Sequence, residues 1–148
     1  MKYYSLIILI ILITTSAFAA PSKITKSDNC KIHETDTFED EEVLAFDLQN
    51  EDIKVTCKFR GKDSSKMFRL YALPTFENIS GKLLYISYNA AFFDKENNLI
   101  ACIRQNSEIQ PDTNDTQFSS ALTHLPKSEF EKISSYKLVI YIEEIVKE

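Results

Sequence analysis

Hydrophobic and polar residues alternate along the middle of the chain with the period of a β-strand. The clearest example is residues 53–60, where apolar side chains occupy every second position and Lys, Thr or Arg occupies the positions between them. Side chains on a strand point alternately to its two faces, so this pattern predicts a half-buried strand. Residues 43–48 show the same alternation, with Leu44, Phe46 and Leu48 on one face.

Turn residues divide the rest of the chain into further short segments. The additional strands that we predict are residues 67–73, 82–93, 99–104 and 137–142. The polar segments between them are rich in Gly, Asn, Asp and Ser, which favour turns. Residues 105–120 are polar and long for a connection, and they predict either a mobile loop or a short irregular strand.

One short helix is also expected. Pro126 suits the first residue of a helix, because a missing N–H costs nothing at that position. Phe130 and Ile133 follow on one side of the helical turn.

Together these segments predict an all-β fold. Six or seven short strands with one helical turn near residues 126–133, without βαβ alternation, indicate an antiparallel β-sandwich, immunoglobulin-like in architecture. Antibody-type domains carry a core Trp, and this chain has no Trp, so the prediction concerns architecture and not family. A small open barrel is the nearest alternative.

The first 20 residues have the layout of a secretory leader. Lys2 precedes an unbroken apolar run at residues 6–13, and small residues precede a cleavage point after Ala19. A membrane-spanning helix needs about 20 apolar residues, and this run is less than half as long. We therefore predict a signal peptide at residues 1–19 and a secreted or periplasmic protein without membrane insertion after cleavage. The periplasm is the favoured location.

Two further units are expected after the leader: a polar acidic N-terminal arm at residues 20–42 and a single β-sandwich domain at residues 43–148. Six acidic residues lie between positions 34 and 42. We interpret this run as a solvated segment, with a metal-binding or cationic-partner patch as the alternative. Loss of Lys2 with the leader changes the net charge from −5 to −6, which disfavours nucleic acid and anionic membranes as partners.

Three cysteines follow the leader: Cys30, Cys57 and Cys102. Export implies an oxidising compartment, in which two cysteines close in space form a disulfide. Cys57 lies on the apolar face of its strand and is the expected member of any bridge. Cys30–Cys57 is the favoured pair, and Cys57–Cys102 is the alternative. The remaining thiol is expected to behave as a small buried hydrophobe.

The same cysteines also suggest two less favoured chemistries. Together with His33 and His124, they are residue types that bind zinc, but the paired spacing typical of zinc sites is missing. A cysteine nucleophile paired with either histidine is the other candidate. Cys102 lies in an apolar strand, where the pKa of a thiol is raised, and this disfavours a nucleophile there.

Cofactor sites find little support in the sequence. The chain has only two glycines, Gly61 and Gly81, whereas phosphate-binding loops need several at close spacing. Residues 94–98 and 112–116 are oxygen-rich but lack the Gly and Glu of a calcium loop, so we interpret them as turns. We therefore predict neither a cofactor nor a metal.

Asn78 and Asn114 begin N-glycosylation sequons, which matter only if the host is a eukaryote that secretes through an endoplasmic reticulum.

No segment carries a specific catalytic constellation, and this favours a non-enzymatic exported module that binds a protein or an envelope component. The residues expected to bind are the 105–120 loop and the 71–76 segment, although core packing is the preferred interpretation of Tyr71 and Phe76. Two alternatives stay open. One is a thiol-dependent hydrolase that uses Cys102 or Cys30 with a histidine, and the other is a structural component of an envelope assembly.

Overall fold

Nearly all regular secondary structure in the computed structural model is antiparallel β-strand. The structure describes residues 21–64, 67–113, 116–117 and 121–146. The predicted signal peptide at residues 1–19 and the sequon residue Asn114 lie outside these ranges. The described elements are β1 (Ser22–Asn29), β2 (Leu44–Gln49), β3 (Ile53–Ser64), β4 (Met67–Asn78), β5 (Leu84–Phe93), β6 (Leu99–Ile109), β7 (Thr116–Gln117), β8 (Ala121–Leu125), α1 (Lys127–Phe130) and β9 (Ser135–Glu144).

The strands form two sheets. The first sheet has the order β1-β9-β5-β6, and the second has the order β2-β3-β4, with the far edge of β4 shared by β8 and β7. β8 pairs with residues 68–72 of β4, and β7 pairs with residues 75–76. Every pair of these strands is antiparallel. The prediction of an all-β antiparallel fold is confirmed.

The two sheets pack face to face through every second side chain of their strands. β5 alternates buried and half-buried residues over its whole length, as expected for a strand with neighbours on both sides. Phe59 of β3 meets Phe92 of β5 with ring centroids 5.1 Å apart, and Phe46 of β2 stacks on Tyr136 of β9 at 5.2 Å. The core therefore lies between the sheets, and each sheet keeps an outer face.

The strand order differs from that of an immunoglobulin constant domain. Three consecutive strands, β2, β3 and β4, are neighbours in the second sheet. Immunoglobulin constant-type sheets instead have the orders ABED and CFG, in which the chain changes sheet earlier. The immunoglobulin-like arrangement is thus not confirmed, and the chain has nine described strands rather than six or seven.

Part of the predicted N-terminal arm belongs to the first sheet. β1 pairs with β9 over its whole length, from Ser22 opposite Ile142 to Asn29 opposite Ser135. Ile24 of β1 packs against the core. The polar residues of β1 suit an edge strand, because charged and polar side chains protect an exposed edge from pairing with other chains.

Two strands run further than the sequence pattern predicts. β4 continues through Pro74, and β6 continues to Ile109, so residues 105–109 leave the predicted loop. Pro74 lies between the part of β4 that pairs with β8 and the part that pairs with β7. A strand tolerates Pro where no ladder hydrogen bond is required.

The predicted helical turn is confirmed. Pro126 is the N-cap of α1, and Phe130 and Ile133 are both buried. Within the part of the chain that the structure describes, no helix is long and apolar enough to cross a membrane.

Candidate functional site

The outer face of β3 is basic. Ile53, Val55, Cys57 and Phe59 face the core, so the residues between them face away from it. The outward positions of β3 include the four cations Lys54, Lys58, Arg60 and Lys62. The alternation that makes this segment a strand therefore also places a row of positive charge on the second sheet.

Arg60 occupies the centre of an aromatic cluster on this face. Register places Tyr71 of β4 directly opposite Arg60. The guanidinium of Arg60 lies 4.5 Å from the ring centroid of Tyr71 and 4.7 Å from that of Phe38, distances at which cations are attracted to ring faces. Its Nη1 donates a 2.7 Å hydrogen bond to the carbonyl oxygen of Thr35. Arg60 is only 9% exposed.

Arg69 lies beside this cluster. Its Nη1 donates to the hydroxyl of Tyr71 at 3.4 Å. The Nε atoms of Arg60 and Arg69 are both buried without a hydrogen-bond partner, and neither side chain has a carboxylate partner among the described residues. A guanidinium presents a planar fork of donors that matches a carboxylate or a phosphate. These two arginines can therefore bind an anionic group.

Residues 34–42, here called the acidic segment, lie across the basic face. Asp36 forms an ion pair with Lys62 at 3.0 Å, and the carbonyl oxygen of Phe38 accepts a 3.4 Å hydrogen bond from the Nζ of Lys58. Glu34 forms an ion pair with Lys127 at 3.2 Å. The run that we interpreted as a solvated arm thus contacts cations of its own chain. Exposed ion pairs of this kind contribute little to stability.

Main-chain hydrogen bonds join the start of the acidic segment to Gly61 of β3. The N–H of Thr35 donates to the carbonyl oxygen of Gly61 at 3.0 Å, and the N–H of Gly61 donates to that of His33 at 2.8 Å. β2 pairs with β3 only as far as Leu44 opposite Phe59. The chain near Glu34 takes the next positions along this edge, as a short parallel bridge to Gly61.

The three cysteines form no disulfide, and all are free. Cys57 is fully buried between the sheets, whereas Cys102 is exposed on the outer face of the first sheet. No two cysteines lie at disulfide distance, so neither the favoured Cys30–Cys57 bridge nor the alternative Cys57–Cys102 bridge is confirmed. Burial raises the pKa of Cys30 to about 11 and that of Cys57 to about 12.

The histidines lie at separate places, His33 in the segment between β1 and β2 and His124 in β8. His33 Nδ1 is 3.6 Å from the carboxylate of Glu42, and His124 of β8 is opposite Arg69. Within the described ranges, no group of three His, Cys, Asp or Glu side chains is placed to hold a metal ion. The proposed zinc ligands are therefore not brought together.

Residues 94–98 form a turn, as the sequence predicts. The carboxylate of Asp94 accepts hydrogen bonds from the N–H of Asn98 at 2.8 Å, from its Nδ2 at 2.9 Å and from the N–H of Glu96 at 2.9 Å. The hydrogen bonds from Asn98, and then that from Glu96, lower the pKa of Asp94. Its oxygens thus serve the hairpin between β5 and β6.

Asn78, the described sequon residue, is built into the fold. It is 2% exposed, and its Nδ2 donates to the carbonyl oxygens of Lys82 at 2.6 Å and Gln110 at 3.0 Å. A glycan would replace one of the two hydrogens on this buried nitrogen, so at least one of these hydrogen bonds would be lost.

The segment 71–76 divides between the two faces of β4. Phe76 is fully buried and meets Tyr88 with ring centroids 6.5 Å apart, so it belongs to the core. Tyr71 joins the Arg60 cluster on the outer face. Sequence reasoning missed Arg60, Arg69 and Phe38, because their proximity depends on the register of β3 against β4 and on the path of the acidic segment. The signal available was the row of cations on alternate positions of β3.

Comparisons with known proteins add little. No protein-family model and no curated protein matches the chain. Among solved structures, it is similar to the enzymatically active domain of tailspike protein 4 from bacteriophage CBA120, with 8% sequence identity and a TM-score of 0.27. The match covers 84% of this chain and 17% of that one. A likeness this weak carries no argument about fold family or function.

Proposed function

We propose that this protein is an exported, non-enzymatic binding module that holds an anionic group of a protein partner on the outer face of its second sheet. The observation that carries the proposal is the pair of arginines, Arg60 and Arg69, whose Nε atoms are buried without partners beside Tyr71. We propose that the chain is a β-sandwich that is immunoglobulin-like only in the broad sense of two packed antiparallel sheets. A rigid two-sheet scaffold of this kind holds displayed residues in fixed positions for binding. The proposed location is secreted or periplasmic.

Energetics supports a ligand role for the arginines. Burial of a charge without a hydrogen-bonded counterion costs free energy of desolvation. Stability alone therefore does not account for such a charge in the fold. Aromatic rings recover part of this cost for Arg60. An incoming carboxylate would occupy the unused donors and so would bind with charge-assisted hydrogen bonds.

The test compares partner capture by the mature chain and by two variants. Arg69→Gln removes the half-buried guanidinium and keeps an amide of similar reach. Arg104→Gln is the matched control, because Arg104 is exposed on the outer face of the first sheet. We expect the wild type and Arg104→Gln to recover the same partner from the host envelope or culture fluid, and Arg69→Gln to recover at least fivefold less. Recovery of no partner above background, or equal recovery by all three proteins, would contradict the proposal.

The exposed thiol of Cys102 is the observation that favours a second candidate, a thiol-dependent hydrolase. Burial argues against the other thiols, because a nucleophilic cysteine needs a lowered pKa and those of Cys30 and Cys57 are raised. Alkylation of Cys102 in the native protein, followed by assays with thioester and peptide substrates, separates the two candidates. A hydrolytic activity that alkylation abolishes would support the enzyme.

A further inference from the structure

We infer that the acidic segment, residues 34–42, occupies the binding site of the partner in the free protein. The partner that displaces it is an acidic peptide segment containing an aromatic residue. This inference rests on the proposed function and names both the class of partner and the regulation of the site. An incoming peptide would replace residues 35–38 over Arg60. The carboxylates of that peptide could then reach the guanidinium of Arg60.

Charge complementarity is the first argument. The acidic segment carries six carboxylates in nine residues, and the outer face of β3 beneath it carries Lys58, Arg60 and Lys62. The ion pairs that the segment makes with this face and its border are those of Asp36 with Lys62 and Glu34 with Lys127. Neither arginine has a carboxylate partner in the described structure, although acids lie on the segment that covers one of them. The carboxylates of the segment thus pair with lysines and leave both arginines without a carboxylate among the described residues.

The aromatic contact is the second argument. The ring of Phe38 lies over the guanidinium of Arg60, and it meets the ring of Tyr71 edge-on at a centroid distance of 6.5 Å. Leu122 of β8, opposite Tyr71 in the register, is an exposed apolar side chain at the border of the cluster. A partner therefore needs an aromatic side chain as well as acids, and this requirement separates a peptide from a simple polyanion.

The backbone contact predicts that the partner binds in an extended conformation. Residues near Glu34 occupy the edge of β3 that β2 leaves free beyond Phe59. Addition of an extended segment to a free strand edge is a common mode of peptide recognition, in which main-chain hydrogen bonds contribute affinity. Here the chain itself supplies the extended segment, because the N–H of Thr35 and the carbonyl oxygen of His33 both hydrogen-bond to the backbone of Gly61.

The acidic segment is held weakly enough to be displaced. Between positions 36 and 42, Phe38 is the one side chain that is not exposed, and none of these residues belongs to the core cluster. The ion pairs are solvent-exposed, with Asp36 87% exposed, and such pairs are weak and screened by salt. Segments with few buried contacts open locally without global unfolding.

The experiment supplies the segment in trans. The probe is a fluorescein-labelled peptide with the sequence of residues 33–43, and binding is measured by anisotropy at about 20 mM and about 300 mM salt, a range over which exposed charge pairs become screened. The proteins are the wild type, an uncovered variant that combines Asp36→Asn with Phe38→Ala, and the uncovered variant with Arg69→Gln added. A milder variant, Asp36→Asn with Glu34→Gln, keeps Phe38 and guards against loss of folding in the first. Thermal melting confirms that each protein is folded.

We expect the uncovered variant to bind the peptide at least tenfold more tightly than the wild type, with the milder variant between them and with weaker binding at high salt. Addition of Arg69→Gln should weaken binding at least fivefold. A peptide with Ala in place of Phe, and a single-stranded oligonucleotide of equal charge, should bind at least tenfold more weakly. Equal binding by the wild type, the uncovered variant and the milder variant would overturn the inference. Absence of peptide binding by all folded proteins, or equally tight binding of the oligonucleotide, would also overturn it. If the peptide fails but partner capture still depends on Arg69, the inference falls and the proposed function stands; if capture is independent of Arg69, the proposed function itself fails.

Discussion

Asn78 connects three segments at one end of the sandwich, and its replacement should be one of the most damaging single changes in the chain. Its Nδ2 donates to the carbonyl oxygens of Lys82 at 2.6 Å and Gln110 at 3.0 Å. Its Oδ1 accepts hydrogen bonds from the N–H of Ser80 at 3.0 Å and from the Ser80 hydroxyl at 2.8 Å. The side chain thus joins the end of β4 to the turn before β5 and to the end of β6.

The change Asn78→Ala removes these four hydrogen bonds and a longer one, of 3.4 Å, from Nδ2 to the carbonyl oxygen of Ile109, and it adds no new contact. Each intramolecular hydrogen bond contributes about 1 kcal/mol net, and the partly buried groups left without partners cost more than that if water cannot reach them. We therefore expect the free energy of unfolding to fall by about 3–4 kcal/mol, a large share of the roughly 5–15 kcal/mol typical of a domain.

The change Asn78→Asp is nearly isosteric and adds a test of sign. A carboxylate would face the carbonyl oxygens of Lys82 and Gln110, whereas the protonated acid can donate to one of them. The pKa of Asp at this position should therefore be raised in the folded state above its unfolded value of about 3.9. The stability that protonation supplies is fully present below the unfolded pKa and is lost as pH rises through the folded pKa. The deficit of this variant relative to wild type should consequently shrink as pH falls from 7 towards 4.

Urea unfolding followed by far-ultraviolet circular dichroism measures both variants. The matched control is Asn89→Ala, because the Nδ2 of Asn89 has a single 3.3 Å hydrogen bond to Ser87 on the outer face of β5, and its loss should cost about 1 kcal/mol or less. The reasoning is refuted if Asn78→Ala lies within about 1 kcal/mol of this control. It is also refuted if the deficit of Asn78→Asp grows on acidification.

Three further predictions concern the glycines, the thiols and alkaline pH. Gly61→Ala should lower the free energy of unfolding by about 3 kcal/mol or more, because its Cβ would lie 2.5 Å from the rings of two core phenylalanines. Gly81 has a φ of +68° and open space around it, so Gly81→Ala should lower the free energy of unfolding by about 1 kcal/mol. Equal urea midpoints for the two variants would contradict this prediction. A thiol reagent at pH 8, mapped by mass spectrometry, should label Cys102 in the native protein and Cys57 only after unfolding, since burial raises the pKa of Cys57 to about 12; native labelling of Cys57 would count against the structure of the core. Stability should fall as pH rises from about 9 to about 12, because burial raises the pKa of Cys57 and of Tyr136 to about 12 and the unfolded chain loses these protons first; unchanged urea midpoints at pH 8 and pH 10.5 would show this linkage to be wrong.

Local patterns were sufficient to predict much of the fold. The alternation in residues 53–60 predicts most of β3, the polar turn at residues 94–98 predicts the hairpin between β5 and β6, and Pro126 predicts the start of α1. Each of these depends on residues that are neighbours in the chain, so side-chain period and turn chemistry carry the information.

Other features depend on neighbours that the sequence does not reveal. β4 continues through Pro74 because two different strands pair with β4 on either side of that residue. β1 is a strand because β9 pairs with it along its whole length, and its own sequence has a single residue, Ile24, among the apolar side chains that pack against the core. The separation of Cys57 from Cys102 likewise depends on the sheet faces that carry them, since Cys57 faces the core and Cys102 lies on the outer face of the first sheet.

The sequence by itself determined the all-β class, most strand positions, the helical turn and a row of cations on one face of β3, because a two-residue period assigns side chains to faces without reference to the rest of the chain. Only the tertiary structure decided what that row contacts. The register of β3 against β4 places Tyr71 beside Arg60, and the return of residues 34–42 over the sheet adds Phe38. Long-range pairing sets these distances, and many registers satisfy the same local pattern. The candidate site therefore depends on the contact between the acidic segment and β3, which the local pattern does not specify.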